Sequence, residues 1–240
     1  PQCREHASGI TALELLACRK IDHRNIAWVL GSFLASLVGC MLVPYCYALF
    51  SGQPGQAAFL QAGLVTAAAG AILMLFGRRR ERRDLQHREG ILLVSLIWVV
   101  ICVFGALPFY FSNSFDQFTD AMFEATSGFT TTGATVVTDI ESLPRSIQYY
   151  RHQLQWLGGM GLVVLAVAIL PMLGIGGAHI YRAETPGPMK DEKMMPRLIH
   201  TARALWMIYI GLTIACALSY WLAGMTPFDA LAHSFSTVST

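Results

Sequence analysis

A run of threonines around one glycine is the part of the sequence best suited to act on an ion. Residues 130–135 read Thr-Thr-Thr-Gly-Ala-Thr. Threonine disfavours continuation of a helix, and glycine permits backbone torsions that other residues avoid. Extended backbone at a helix C-terminus presents free carbonyl oxygens and the negative end of the helix dipole. Rings of such oxygens replace the hydration shell of a cation in selectivity filters, although a threonine-rich external turn is the more common explanation for such a run by itself.

A short helix is predicted directly before this run, within the 41 residues 112–152 that separate two long apolar stretches. Residues 114–117, Ser-Phe-Asp-Gln, have the form of a capping box that would begin the helix. Apolar residues then recur near helical spacing: Phe115, Phe118, Met122, Phe123 and Phe129. A helix of about 14 residues with three acids is too short and too polar to span a membrane, which indicates a re-entrant helix.

The same pattern occurs a second time. Residues 120–131 match residues 229–240 at an offset of 109, with four identities: Asp, Ala, Ser and the final Thr. Each copy follows an apolar stretch and ends in a run of Ser or Thr. Because internal repeats around a central axis are a common way to build a transport pathway, the repeat favours a pore over an isolated turn.

The surrounding elements are those of a membrane protein. Of the 240 residues, 54% are hydrophobic and 13% are charged, about half of the roughly 25% charged residues of a soluble domain. Disorder is excluded by the same composition. Five stretches are long and apolar enough to cross a bilayer: 26–50, 57–77, 91–111, 153–178 and 204–228. In the fourth stretch, Gly158, Gly159 and Gly161 indicate close approach of a neighbouring backbone.

The charges orient these stretches. If each crosses once, 15 of the 17 basic residues fall on one side, and only Arg145 and Arg151 fall on the other. The positive-inside rule then places the N-terminus and the basic loops in the cytoplasm. Six acids lie on the external side: Asp116, Asp120, Glu124, Asp139, Glu141 and Asp229. Ordinary loop acidity and a cation-attracting vestibule explain them equally well.

Other kinds of chemistry find little support. The six cysteines form no Cys-x-x-Cys pair, and the seven histidines form no His-Glu-x-x-His spacing. A coupled secondary transporter would be expected to carry charged groups inside its spans, and the five stretches carry none in their cores. A membrane redox protein would need histidine pairs at matching depth. These two classes remain the alternatives to a pore, and no enzyme activity and no covalent cofactor are expected.

Several longer strings carry a specific resemblance to a known family. They are 130–136, 155–161, 164–171, 173–177, 181–188 and 222–230. Through them, residues 22–240 resemble the TrkH-type subunits of bacterial potassium uptake systems, within the Trk/Ktr/HKT superfamily. The resemblance implies an all-α polytopic membrane protein in which a helical hairpin precedes the span–pore helix–span repeats of a potassium-channel-like pore.

The resemblance also divides the chain into five parts. Residues 1–25 are expected to form an N-terminal cytoplasmic segment, and 26–90 a two-helix hairpin with a basic cytoplasmic loop. Residues 91–178 would form the first span–pore helix–filter–span repeat, 179–203 a cytoplasmic linker, and 204–240 the start of a second repeat. The family continues beyond the position of Thr240, so a piece of a protein about twice as long is expected.

The function implied by the resemblance is potassium transport across the bacterial inner membrane. Backbone carbonyls of Thr131, Thr132, Gly133 and Ala134 would bind the potassium ion as the first filter segment, and Ser239 and Thr240 would open the second. The family associates a glycine at the position of Gly133 with a preference for potassium over sodium. The implied partners are a second copy of the chain, a cytoplasmic nucleotide-binding regulatory subunit and the lipid bilayer, with no nucleic acid.

Overall fold

A computed structural model describes residues 23–78, 87–172 and 190–240. The described residues form helices joined by turns, with no strand among them. The helices are α1 (His23–Phe50), α2 (Gln56–Gly77), α3 (His87–Gly105), α4 (Leu107–Phe111), α5 (Phe118–Phe129), α6 (Arg145–Met172), α7 (Lys190–Leu222) and α8 (Pro227–Ser239). The predicted all-helical fold is confirmed, including the hairpin of α1 and α2, whose link runs from Ser51 to Gly55.

Four segments are long and apolar enough to cross a membrane: His23–Phe50, Gln56–Gly77, Glu89–Phe111 and His200–Leu222. They correspond to four of the five predicted spans. The remaining prediction, 153–178, coincides with α6 as far as Met172, and its last six residues lie outside the described residues. Residues 1–22 of the predicted N-terminal segment, most of the basic loop and residues 179–189 of the cytoplasmic linker also fall on residues that the structure does not describe. The rest of the predicted linker, 190–203, belongs to α7.

The predicted C-terminal boundary of the fifth span is wrong. It was expected to reach residue 228, but α7 ends at Leu222. Gly224 takes a φ of +99°, and Pro227 begins α8. Thr226 caps α8, because its Oγ1 accepts the N–H of Asp229 at 3.2 Å and donates to the Asp229 carboxylate at 2.6 Å. A count of apolar residues cannot register this change of backbone direction.

The predicted capping box at 114–117 is also wrong. Helix α5 begins at Phe118, with Gln117 as an extended N-cap that makes no side-chain capping bond. Phe115 is buried, and its ring lies 5.7 Å from that of Phe109. This apolar contact anchors the chain before α5, and it leaves Asp116 outside the helix.

The chain divides into two compact units, and each is described separately. The first unit contains the described residues up to Val38 together with Leu64–Ile101. Its helices pack through Ile26, Leu30 and Leu93. Helices α1 and α2 approach closely at two glycines, since a Cβ added to Gly31 would lie 2.7 Å from the carbonyl oxygen of Gly70.

The second unit contains Gly39–Gly63 and the described residues from Cys102 onward. Its centre is Tyr150 of α6, which is fully buried. The Tyr150 hydroxyl donates to the carbonyl of Gly105 at 3.1 Å, and its ring contacts those of Phe59 and Phe109. The Gln153 amide donates to the carbonyl of Cys40 at 3.1 Å. Helix α6 is therefore the element to which the rest of the second unit is attached.

Candidate functional site

Helix α5 ends in a Schellman motif directly before the predicted first filter segment. The N–H of Thr131 donates to the carbonyl of Gly128, and the N–H of Thr132 donates to that of Ser127, both at 3.0 Å. This pairing requires a left-handed residue at the first position after the cap, and Thr131 supplies it with a φ of +56°. A β-branched residue is rarely found there. Gly133 is also left-handed, with a φ of +73°, so two of the three residues 131–133 take a left-handed backbone conformation.

The carbonyl groups of the first filter segment differ in their hydrogen bonding. Among the described residues, none donates to the carbonyl oxygens of Thr131, Thr132 and Gly133. The carbonyl of Ala134 accepts the Ser127 hydroxyl at 2.6 Å. Residues 132–134 are exposed. Three consecutive backbone oxygens are therefore available to a ligand, and a fourth is tied to α5 through one of its two lone pairs.

The two residues predicted to open the second filter segment lie at the end of α8. Ser239 is the last helical residue, and Thr240 bonds to the carbonyl of Ser236 through both its N–H, at 3.1 Å, and its hydroxyl, at 2.7 Å. Helices α5 and α8 begin at Phe118 and Pro227, and 227 minus 118 is 109, the offset of the sequence repeat. Both helices have an extended N-cap residue. The structure thus confirms the repeat as two equivalent short helices.

Two glycines of α6 hold the ends of these two helices. A Cβ added to Gly158 would lie 2.0 Å from the carbonyl oxygen of Phe129, at the end of α5. A Cβ added to Gly159 would lie 3.0 Å from Cβ of Ser239, at the end of α8, and 2.9 Å from the Tyr209 hydroxyl. Among the described residues, no atom lies within 4 Å of a Cβ added to Gly161. The close approach predicted from these glycines is confirmed for the first two.

Polar and aromatic side chains of α6 complete the contact with α8. His152 Nδ1 lies 2.5 Å from the Ser236 hydroxyl, which donates to the Gln155 amide oxygen at 2.6 Å. The Trp156 ring stacks on Phe235, with centroids 5.1 Å apart.

The His152 side chain lies just before the predicted span and is neutral. Burial is the largest cause that lowers its pKa, and the nearby His233 and Arg151 add to this effect, so that the pKa of His152 is about 4. Its imidazole is therefore neutral at physiological pH.

A buried ion pair lies behind the first filter segment. Glu124 of α5 and Arg151 of α6 approach to 3.0 Å, with side chains 2% and 13% exposed. The other Glu124 oxygen accepts the Thr135 hydroxyl and the N–H of Val136. Glu124 was counted with the acids of an external vestibule, and that interpretation is wrong because its charge is buried and neutralised. The pair joins residues 27 positions apart, and no local pattern in the sequence marks it.

The fold and this site define a class of protein. Apolar spanning helices, two equivalent short helices of which the first is followed by exposed backbone carbonyls, and a longer helix that packs against both of them are the features of a polytopic membrane protein with pore-like repeats. The chain belongs to the TrkH family, described as cation transport protein, whose profile matches residues 55–240. The resemblance stated from the sequence is confirmed.

Relatives and a solved structure agree with this assignment. The Trk system potassium uptake protein TrkH of Salmonella typhimurium is 51% identical over 217 residues, which are 90% of this chain and 45% of the relative. The Trk system potassium uptake protein TrkG of Escherichia coli is 44% identical, over 91% of this chain and 45% of the relative. The crystal structure of the potassium transporter TrkH from Vibrio parahaemolyticus matches with a TM-score of 0.76 and 45% identity, over 89% of this chain and 42% of that one. The chain thus spans about half the length of the curated relatives it matches.

Proposed function

We propose that this chain supplies the first part of a potassium-conducting pore in the bacterial inner membrane. One observation carries the proposal: the carbonyl oxygens of Thr131, Thr132 and Gly133 are free of hydrogen bonds from the described residues and follow the C-terminus of a short helix. Oxygens in this arrangement replace the water around a cation. The names of the relatives identify those proteins with potassium uptake.

The mechanism is exchange of hydration water for backbone oxygens, without covalent chemistry and without an enzymatic step. The C-terminal end of α5 carries partial negative charge that favours a cation at the first filter segment. Ala134 contributes its second lone pair, and Ser239 and Thr240 begin the second filter segment at the end of α8. The exposed acids Asp116, Asp139 and Glu141 raise the local concentration of cations.

The proposed setting follows from the charge distribution and the family. The N-terminus and the basic loops lie in the cytoplasm, since the positive-inside rule applies to their excess of Lys and Arg. The chain assembles with a second copy of itself and with a cytoplasmic nucleotide-binding regulatory subunit. Potassium is the cargo of this pore, and no covalently bound cofactor takes part.

The test uses a chimera in which this chain is joined, after Thr240, to the remaining part of the Salmonella typhimurium relative. Gly133→Ser should reduce the preference for potassium over sodium in proteoliposome flux measurements, because L-residues strain the φ of +73°. The matched control is Gly224→Ser, which introduces the same residue at a φ of +99° with nothing within 4 Å. An unchanged ion preference in Gly133→Ser would refute the filter assignment.

A further inference from the structure

The two oxygens of the Glu124 carboxylate have different partners. Oε2 accepts both Nε and Nη2 of Arg151, at 3.1 and 3.0 Å. Oε1 accepts the N–H of Val136 at 3.1 Å and the hydroxyl of Thr135. The carboxylate therefore joins helix α6 on one side to the backbone that leaves the first filter segment on the other.

The burial of this carboxylate makes its bonds strong. A buried charge is costly unless it is paired and hydrogen-bonded, and Glu124 meets both conditions with a side chain that is 2% exposed. Hydrogen bonds to an ionised acceptor are roughly twice as strong as neutral ones. Thr135 and Val136 directly follow Ala134, whose carbonyl is held by Ser127. The backbone that leaves the first filter segment is thus bound to α5 at two successive points, first at Ala134 and then at Thr135 and Val136.

The second repeat has different chemistry at the same place. The offset of 109 puts His233 where the first repeat has Glu124. The His233 ring lies 5.5 Å from that of His152, the residue after Arg151. At this position, therefore, the first repeat has an anionic acceptor and the second has a histidine.

We propose that Glu124 is a positioning residue for ion selectivity, whose carboxylate holds the first filter segment at the spacing that potassium requires. The proposal rests on the proposed function, since it assigns the residue that keeps that same site in shape. Extended backbone with free carbonyl oxygens is easily displaced. Glu124 restrains it by accepting the hydroxyl of Thr135 and the N–H of Val136, while Arg151 holds the carboxylate from the other side. A purely structural ion pair would need only the two charges.

A matched pair of substitutions at Thr135 separates the positioning role of Glu124 from a purely structural role of the ion pair. Thr135→Val keeps the side-chain shape but removes the hydroxyl, which donates to Glu124 and accepts the N–H of Val137 at 3.1 Å. Thr135→Ser keeps the hydroxyl, and neither substitution alters the ion pair. We expect Thr135→Val to reduce potassium-over-sodium preference about tenfold, because a hydrogen bond to a charged group contributes more than a neutral one, and Thr135→Ser to retain the preference. Thr119→Val is the control, because Thr119 is exposed on α5 and bonds to the Gln117 side chain.

The double substitution Glu124→Arg with Arg151→Glu separates two effects of Glu124. One is its pairing with an opposite charge, and the other is its acceptance of hydrogen bonds from Thr135 and Val136. The double substitution retains one charge of each sign but puts a guanidinium, which has no acceptor, beside the Thr135 hydroxyl and the Val136 N–H. We expect the double variant of the chimera to prefer potassium less than the parent does. This loss should remain even if the double variant has a melting temperature in detergent close to that of the parent. Glu124→Gln, which retains an acceptor oxygen, should lose less preference than Glu124→Leu.

The outcomes distinguish the possible failures. If Gly133→Ser abolishes selectivity while Thr135→Val leaves it at the parental value, the filter assignment stands and the role of Glu124 is refuted. If Gly133→Ser has no effect, the proposed function itself fails. If Thr135→Val lowers the melting temperature and the preference, but Thr135→Ser restores only the melting temperature, the positioning role is also overturned. Selective loss in Thr135→Val, restored in Thr135→Ser, supports it.

Discussion

Replacing Gly158 by alanine is expected to displace the end of the first pore helix, α5. The added Cβ would lie 2.0 Å from the carbonyl oxygen of Phe129, 2.7 Å from its carbonyl carbon and 2.9 Å from its Cα. All three atoms belong to the backbone, so no side-chain rotation relieves the clash. Phe129 directly precedes the turn at Thr130 and Thr131, and its movement is passed to the first filter segment.

The size of the displacement follows from these distances. Real Cβ atoms essentially never approach another heavy atom closer than 3.0 Å, so α5 and α6 must separate by at least 1.0 Å at this point. Overpacking of this kind costs about 1–3 kcal/mol of the free energy of unfolding. A misplacement of about 1 Å in a binding geometry reduces its efficiency up to about 100-fold in enzymes. Since a 100-fold change corresponds to about 2.7 kcal/mol, we expect losses of comparable free energy in ion selectivity and in stability.

The assay compares Gly158→Ala with Gly161→Ala in the chimera. Gly161 lies almost one turn further along α6 and meets nothing within 4 Å, so its replacement tests the effect of alanine without the clash. Alanine there gains up to about 1 kcal/mol of helix propensity. Potassium and sodium fluxes into proteoliposomes measure the selectivity, and thermal unfolding in detergent measures the stability.

One pattern would refute the reasoning. Gly158→Ala with parental selectivity and an unchanged melting temperature would mean that α5 does not lie against α6 as described. Equal losses in Gly158→Ala and Gly161→Ala would assign the effect to the removal of glycine from α6, and not to the contact with Phe129.

Three further outcomes test the packing around α6. Gly159→Ala should disturb the end of α8 less than Gly158→Ala disturbs α5, because the Ser239 atoms lie 3.0 and 3.1 Å from the added Cβ, against 2.0 Å for the Phe129 oxygen, and the closer Tyr209 hydroxyl is the end of a side chain; equal flux defects would contradict this. Tyr150→Phe should lower the free energy of unfolding by about 1 kcal/mol through one lost buried hydrogen bond, and an unchanged unfolding curve would contradict it. The pKa of His152 is about 4 in the folded protein and 6.5 for an ordinary histidine. Between these two pH values the unfolded state therefore binds more protons than the folded state, and the free energy of unfolding decreases as the pH falls from 6.5 toward 4. His152→Gln should flatten that dependence in melting temperatures taken at pH about 7.5 and about 5, and an unchanged slope would contradict the burial of the ring.

The sequence predicted the spanning helices well because each is a long, continuous apolar run. The sequence-based prediction was wrong at two helix boundaries, where single residues set the backbone direction. Gly224 and Pro227 end α7 and begin α8 inside an apolar stretch. Phe115 has the apolar spacing of a helical residue, yet it is buried outside α5. Hydrophobic periodicity reports burial, and burial is shared by helices and by the turns that pack beside them.

The candidate site was predicted in part. The repeat at an offset of 109 and the unusual torsion of Gly133 follow from residue types. The left-handed Thr131 does not, because threonine ordinarily avoids that region, and it is held there by the two hydrogen bonds that close α5. The ion pair of Glu124 and Arg151 could not be predicted either, since it depends on how α5 packs against α6.

The adjacent glycines of α6 explain how one helix can align two filter segments. Successive residues of an α-helix differ by about 1.5 Å in height and point about 100° apart. Gly158 and Gly159 therefore face two directions at nearly the same level, and the ends of α5 and α8 lie against them at Phe129 and Ser239. By the repeat offset, Ser239 corresponds to Thr130, one residue beyond Phe129, which matches the one-residue step between the glycines. In the proposed pore, this pair of contacts would set the two predicted filter segments at one height.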